Sequence, residues 1–344
     1  MTGIALARRF YTDAVLPLMP PGLPHAAARL GSGSDVLGLD DATSRDHDWG
    51  LRLTLLVPDG RAPEIDALLE LRLPESFGGS PVRFGTTWHP EPRHQVEVTT
   101  ASAFAISRLG VAPSETLDAS EWLSLTGQAV LEVVGGPVFA DTDGALTRMR
   151  ERLEWYPDDL WRYVVAADWA RLGQELPFLG RAGQRGDDLG SGIIAARLTR
   201  VVMHLGFLLE RRWPPYSKWF GTMFAGLPRA GAAADDLGRA LDAGDWRERE
   251  AALVAAIERM HALQREVGLP TADAATEPFW DRPFRGVGPV PELVRDSIRD
   301  AAVRALPHGV GSIEQWVDNV DVLVNADARR AFTAAWRGVL GGRR

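Results

Sequence analysis

The chain of 344 residues has no cysteine, and only one of its 38 basic residues, Lys218, is a lysine. Without cysteine there are no disulfides, no thiolate metal sites and no cysteine nucleophile, and the composition suits a reducing compartment. Apolar runs of the roughly 18 residues needed to span a bilayer are also missing, and Arg8-Arg9 sits inside a helical pattern rather than a leader with a cleavage site. The expectation is a soluble, cytoplasmic protein with no membrane partner. The formal net charge of -8 supplies no broad basic surface for a polynucleotide backbone, so an extended nucleic-acid surface is excluded and a small partner fits better. A hydrophobic content of 45% over this length can bury a large core and implies two domains.

What is present begins with a turn of small residues. Gly31-Ser-Gly-Ser34 is followed about a dozen residues later by Asp46-His-Asp48-Trp-Gly50, which opens onto the apolar run Leu51–Val57. Side chains alternate along a strand, so Asp46 and Asp48 would point the same way with Cα atoms roughly 6–7 Å apart, and His47 the other way. Two carboxylates on one face can share a hard cation. Magnesium takes a few carboxylate oxygens together with substrate phosphates, and small residues let a backbone approach a phosphate. Asp-x-Asp pairs also occur in solvated turns and helix caps. A third acid distinguishes this one: in Gln95-Val-Glu-Val-Thr99 the valines would face a core and Glu97 the opposite side. If that strand neighbours the first, three carboxylates meet.

This arrangement resembles the nucleotidyltransferase superfamily of kanamycin nucleotidyltransferase and DNA polymerase beta, with its pattern hG[GS]…[DE]h[DE]…h[DE]h. The resemblance implies that Asp46, Asp48 and Glu97 are the catalytic acids and bind magnesium or manganese. It implies that a glycine-serine pair binds the triphosphate of ATP or another nucleoside triphosphate. Gly33-Ser34 has the better spacing, while Gly31-Ser32 directly follows Leu30. The sequence departs from the pattern at Arg45, where serine is common, although Ser44 stands one place earlier, and at His47, where an aliphatic residue is usual. The wording SRDHDWG, EWL, PFLGRAGQRGDDLGS and PPYSKWFG also resembles a bacterial family of unknown function attached to such a domain. The acceptor is left open between an antibiotic, a sugar phosphate, a protein side chain and an RNA end. Catalytically silent nucleotide sensing and a toxin-like, metal-dependent nuclease are the alternatives.

The fold expected is α+β: a mixed sheet flanked by helices over residues 1–125, and a helical bundle over 126–344, with the boundary between 110 and 150. Ile4, Tyr11, Val15 and Leu18 fall on one helical stripe ended by Pro20-Pro21. A strand runs from about Asp48 to Val57. Pro63 opens a helix, and strands return over Val82–Trp88 and Gln95–Thr99. Beyond 145 helical periodicity dominates. One helix carries Leu160, Trp161, Val164, Val165 and Leu172, and a second carries Ile193, Ala196, Val201, Leu205 and Leu208 up to Pro214-Pro215. Further helices are expected over 247–267 and over 312–324, the latter opened by the capping box Ser312–Gln315. The stretches 230–245 and 268–276 read as connections.

Several other residues have two readings. Arg185, in the glycine-dense segment Gly180–Gly190, could clamp a triphosphate. The segment lacks the lysine of a P-loop and could equally be a tight helix connection capped by Asp187 or Asp188. Asp187, Asp188 and Glu210 are candidates for the base that deprotonates the acceptor, since in the resembled superfamily a helical domain faces the sheet across a cleft. Lys218 offers a compact charge to phosphate, or is a survivor of arginine-rich codon usage. Trp155, Tyr156, Trp161, Tyr163 and Trp169 could line an acceptor pocket or form core. Arg197 and His204 have the spacing found in helical ribonucleases, or His204 is a hydrogen-bonded core residue.

Overall fold

The computed structural model describes residues 2–40, 50–85, 90–112 and 116–341. The chain divides into two compact units, one of Met1–Leu117 with Ala129–Glu154 and the other of Asp118–Gln128 with Trp155–Arg344. The segment 118–128 thus belongs with the helical residues that follow 155. A boundary at 125 falls inside that segment, because the chain enters the second unit, returns to the first and leaves again.

In the first unit a helix α1 (Gly3–Phe10) runs into a π turn, Tyr11–Val15. The wider turn rotates the buried face, so Leu6 and Phe10 join Tyr11 and Val15 in the core while Ile4 and Leu18 stay half-buried. Then come β1 (Ala26–Ala28), β2 (Arg52–Leu56), α2 (Ala62–Arg72), the short strands β3 (Ser76–Phe77), β4 (Ser80–Pro81) and β5 (Arg83–Phe84), and β6 (Arg93–Thr99). After α3 (Ala101–Leu109) and the excursion into the second unit that carries α4 (Ala119–Ser124), α5 (Gly127–Val134), strand β7 (Val138–Asp141) and α6 (Ala145–Arg152) complete it.

The five-stranded sheet is mixed, in the order β5-β6-β2-β1-β7. Strands β2 and β6 are parallel and the other pairs antiparallel. A parallel pair needs a crossover, and the helix α2 that Pro63 opens provides it. One sheet face carries Leu51, Leu53, Leu55, Val57 and Val96 against Leu6, Phe10, Ile65 and Leu69. The other face is set by the register Arg52 to Gln95, Thr54 to Glu97 and Leu56 to Thr99. Strand β2 starts at Arg52, later than the sequence suggests; of the strand expected over 82–88, β5 covers Arg83–Phe84, and residues 86–88 lie outside the described residues.

The second unit is built on a helical hairpin, α7 (Asp158–Gln184) and α8 (Asp188–Leu209). Among the described residues α8 alone is long and apolar enough to cross a membrane, but 61% of its apolar window is buried inside the fold, as in a core helix. It ends at Leu209, before Pro214-Pro215, and Arg211 beyond its cap takes a positive φ of 53°. Helices α9 (Ser217–Ala225), α10 (Ala234–Asp242) and α11 (Trp246–Glu266) follow.

Three expectations need correction here. Residues 234–242 form α10 rather than a connection, because Leu237 and Ala240 bury a narrow apolar stripe. A two-stranded hairpin, β8 (Thr276–Pro278) and β9 (Arg285–Val287), lies in the stretch read as connecting chain and beyond it. It is held to α11 by Glu258, which accepts from the backbone of Ala275 and Thr276, and by Glu250, which accepts from Arg285. The capping box at Ser312 forms, but it opens one 3-10 turn, Ile313–Gln315, and Asn319 caps a separate helix at Val320–Leu323.

Candidate functional site

Asp46 and Asp48 lie outside the described residues, together with Ser44, Arg45 and His47. The structure does describe the turn before them and the strand that carries Glu97. The turn leaves β1 through Arg29, which is 3% exposed. Its guanidinium pairs with Asp35, Nε to Oδ2 at 2.7 Å and Nη2 to Oδ1 at 2.9 Å, and donates to the carbonyls of Leu30 and Ser32. Gly31-Ser-Gly-Ser34 is therefore wound around a buried ion pair. Gly33 has φ +141°, and a Cβ there would sit 2.3 Å from Asp35 Oδ1 and 2.6 Å from Arg29 Nη2. Gly33→Ala is expected to cost about 1–3 kcal/mol, read as a lowered midpoint in chemical denaturation; an unchanged midpoint would refute the winding. Ser34 is half-buried, and its carbonyl accepts from Leu39 N at 2.8 Å.

Two further arginines converge on the turn. Arg52, at the start of β2, donates to the Ser32 carbonyl at 3.3 Å. Arg108, on α3, lies beside Gly31, where a Cβ would be 3.5 Å from its Nη2. The same Nη2 donates to both carboxylate oxygens of Glu97, at 3.1 and 3.0 Å, and Arg108 Nε is 3.4 Å from Glu132 Oε2. Glu97 is exposed on the sheet face opposite the core, while Val96 is buried and Val98 packs on the core, as the alternation predicts. The turn and the third acid are thus joined through one guanidinium. Arg29, Asp35, Arg108 and Glu132 were not anticipated from sequence; the only signal was their charge near the turn and after the strand.

Among the described residues no three His, Asp or Glu side chains are grouped to hold a metal ion. Glu97 is the one member of the expected acid set that is described. Its donor chemistry suits a hard cation, since it supplies carboxylate oxygens and already accepts a positive group. A carboxylate offers about four lone-pair sites, but a cation bound there would meet the charge of Arg108, whose Nη2 is 3.0 Å from Oε2.

The remaining candidates belong to the second unit. Lys218 is exposed in the first turn of α9, its ammonium 5.0 Å from the ring centre of Trp219. Arg185 is the exposed C-cap of α7. The glycine-dense segment is not a flexible loop: α7 continues to Gln184 and only residues 185–187 connect it to α8. Two of its glycines serve packing, because a Cβ at Gly180 would be 2.4 Å from Phe284 Cβ and one at Gly183 2.3 Å from Trp246 Cβ. Asp187 caps α8 through Gly190 N, Asp188 accepts from Arg249, and Glu210 accepts from the backbone N–H groups of Arg229 and Ala230. All three base candidates therefore have structural work.

The aromatic series is core. Trp161 donates to the Leu208 carbonyl, Tyr163 to that of Pro307 and Trp169 to Gln264. Trp155 and Tyr156 pack on Trp213 with ring centres 4.6 and 4.7 Å apart. Arg197 pairs with Glu175 at the surface, whereas His204 is buried, its Nδ1 2.6 Å from Asp168 Oδ2 and its Nε2 3.7 Å from Glu314 Oε1. Gln315 donates to the other Asp168 oxygen at 2.7 Å, and Glu314 accepts from Gly127 N. Burial alone would lower the histidine pKa. The charge and hydrogen bond of Asp168, joined by Glu314, outweigh it and raise the value to about 10.

Residues 122–220 match a family model described as Domain of unknown function (DUF4037). No curated protein matches the chain. Among solved structures the chain is similar to a nucleotidyltransferase-like protein from Exiguobacterium sibiricum 255-15, at 13% identity and a TM-score of 0.35. That likeness covers 77% of this chain and 76% of the other.

Proposed function

We propose that the protein is a divalent-metal-dependent nucleotidyltransferase, moving a nucleoside monophosphate from a nucleoside triphosphate, ATP first, to an acceptor with release of pyrophosphate. The observation that carries this reading is the junction at Arg108, which touches Glu97 and borders Gly31. That one guanidinium binds Glu97 and borders Gly31 supports reading the turn and the acid as parts of one site. In this reading Gly33 and Ser34 receive the triphosphate, and Arg52 and Arg108 offset its charge. Asp46, Asp48 and Glu97 hold magnesium or manganese. The bound cation would neutralise charge on the phosphates and lower the pKa of the attacking hydroxyl. Arg185 and Lys218 are further phosphate-binding residues in this reading, and the protein works in the cytoplasm.

A second reading, a nucleotide sensor without turnover, draws support from the same contact, because Glu97 is already engaged by Arg108. Mass spectrometry separates the two. The protein is incubated with each nucleoside triphosphate, magnesium or manganese, and a cell extract. Nucleotide-mass additions with pyrophosphate release are expected; metal-dependent binding without either would identify the sensor, and no binding would dismiss both.

Lys218→Arg is expected to weaken triphosphate affinity or turnover severalfold and to leave the melting temperature nearly unchanged. The planar guanidinium keeps charge but not the compact geometry of an ammonium. A fully active arginine variant would assign the lone lysine to codon usage.

A further inference from the structure

We propose that Arg108 keeps Glu97 closed to divalent cations until a nucleoside triphosphate reaches the Gly31–Ser34 turn, so that nucleotide loads first and the Glu97-bound cation second. The inference rests on the nucleotidyltransferase reading and adds an order of assembly to it. Its basis is the position of one guanidinium between three groups. Nη2 bonds both Glu97 oxygens, Nε lies 3.4 Å from Glu132 Oε2, and a Cβ built at Gly31 would be 3.5 Å from Nη2. Beneath it is the ring of Phe104, with Cζ 5.0 Å from the centroid.

A guanidinium and a divalent cation cannot share the Glu97 carboxylate cheaply. Like charges about 4 Å apart repel by about 4 kcal/mol at the effective dielectric near a protein surface. Cation binding to Glu97 therefore requires the arginine charge to be moved or offset. The pair is open to such exchange, with the Arg108 side chain 28% exposed and that of Glu97 42%. Ion pairs at the surface contribute only about 0–1 kcal/mol, so exchanging the Glu97 carboxylate for another anion costs this partly exposed pair little. A triphosphate on the turn supplies such an anion. Arginine donates well to phosphate oxygens, and Arg108 already borders Gly31, so its charge can pass from carboxylate to phosphate with the Phe104 stack retained. By linkage, nucleotide and cation then strengthen each other's binding to the same degree.

Arg108→Gln tests this with two readouts of opposite sign. Manganese affinity is measured by electron paramagnetic resonance without nucleotide, and affinity for a non-hydrolysable ATP analogue by calorimetry at fixed manganese. The variant is expected to bind free manganese about tenfold more tightly and the analogue about tenfold more weakly than wild type. Adding Glu97→Gln should abolish the manganese gain. Arg108→Lys, which keeps the charge and loses the fixed fork, should fall between, and it serves if the glutamine variant does not fold. Unchanged manganese affinity, or both affinities falling together, would overturn the gate and assign Arg108 to packing. A wild type that binds the manganese–analogue pair while Arg108→Gln matches it removes the gate alone. A wild type that binds neither removes the nucleotidyltransferase reading and the gate with it.

Discussion

His204→Leu is expected to lower the unfolding free energy by about 3–5 kcal/mol, because it leaves a buried carboxylate without its counter-charge. Asp168 is 1% exposed and keeps only the Gln315 amide when the imidazolium is gone. Glu314 loses a partner 3.7 Å away while still bound to Gly127 N. The group joins α7, α8, the turn at 313–315 and the segment 118–128, so its loss loosens four parts of the second unit together. Asp168→Ala should be comparably damaging. If the residues act as one network, the double variant will lose less than the sum of the single losses.

The same site makes stability depend on pH with a defined sign. His204 titrates at about 10 in the fold against the ordinary 6.5. Between those values the folded chain keeps a proton that the unfolded chain releases. The histidine's stabilisation is therefore complete below about pH 6.5 and is lost as pH rises through about 10, at up to about 1.4 kcal/mol per pH unit. Denaturation of wild type and His204→Leu across pH 6 to 10 should show the difference between them shrinking as pH increases. A constant difference would mean that the histidine is neutral in the fold.

How far the sequence foretold this depends on the range of the interactions. Alternation at Gln95–Thr99, the proline-led helix α2 and the long helices from Asp158 onward are local patterns, and they appear where expected. The face of Glu97 was legible for that reason. Its partner was not: Arg108 is eleven residues away on a helix, and only the packing of α3 brings it to the strand. Glycine was legible as a requirement but not as a cause. At Gly33 the cause is a buried Arg29–Asp35 pair, and at Gly180 and Gly183 it is the close approach of Phe284 and Trp246. Periodicity also failed where small residues build the interface, as in α10, and where a glutamate on another helix anchors a hairpin that contains proline.

Asp46→Asn and Asp48→Asn should each weaken magnesium-dependent nucleotide binding by about 100-fold or more, at or beyond the upper end of the loss seen when a ligand's outer-shell partner is removed. Asparagine keeps the size and one oxygen but removes the charge that binds a hard cation, so the defect should fall on the metal-dependent part of the affinity. Calorimetric titration of ATP in magnesium and in chelator separates that part: the variants in magnesium should resemble wild type in chelator. Far-ultraviolet circular dichroism should be unchanged. Glu97→Gln should do less to nucleotide affinity than either aspartate change, because the carboxylate is already shared with Arg108 and its loss also frees that guanidinium for phosphate. Equal losses at all three acids would contradict that ranking, and wild-type affinity in both aspartate variants would remove the basis of the nucleotidyltransferase assignment.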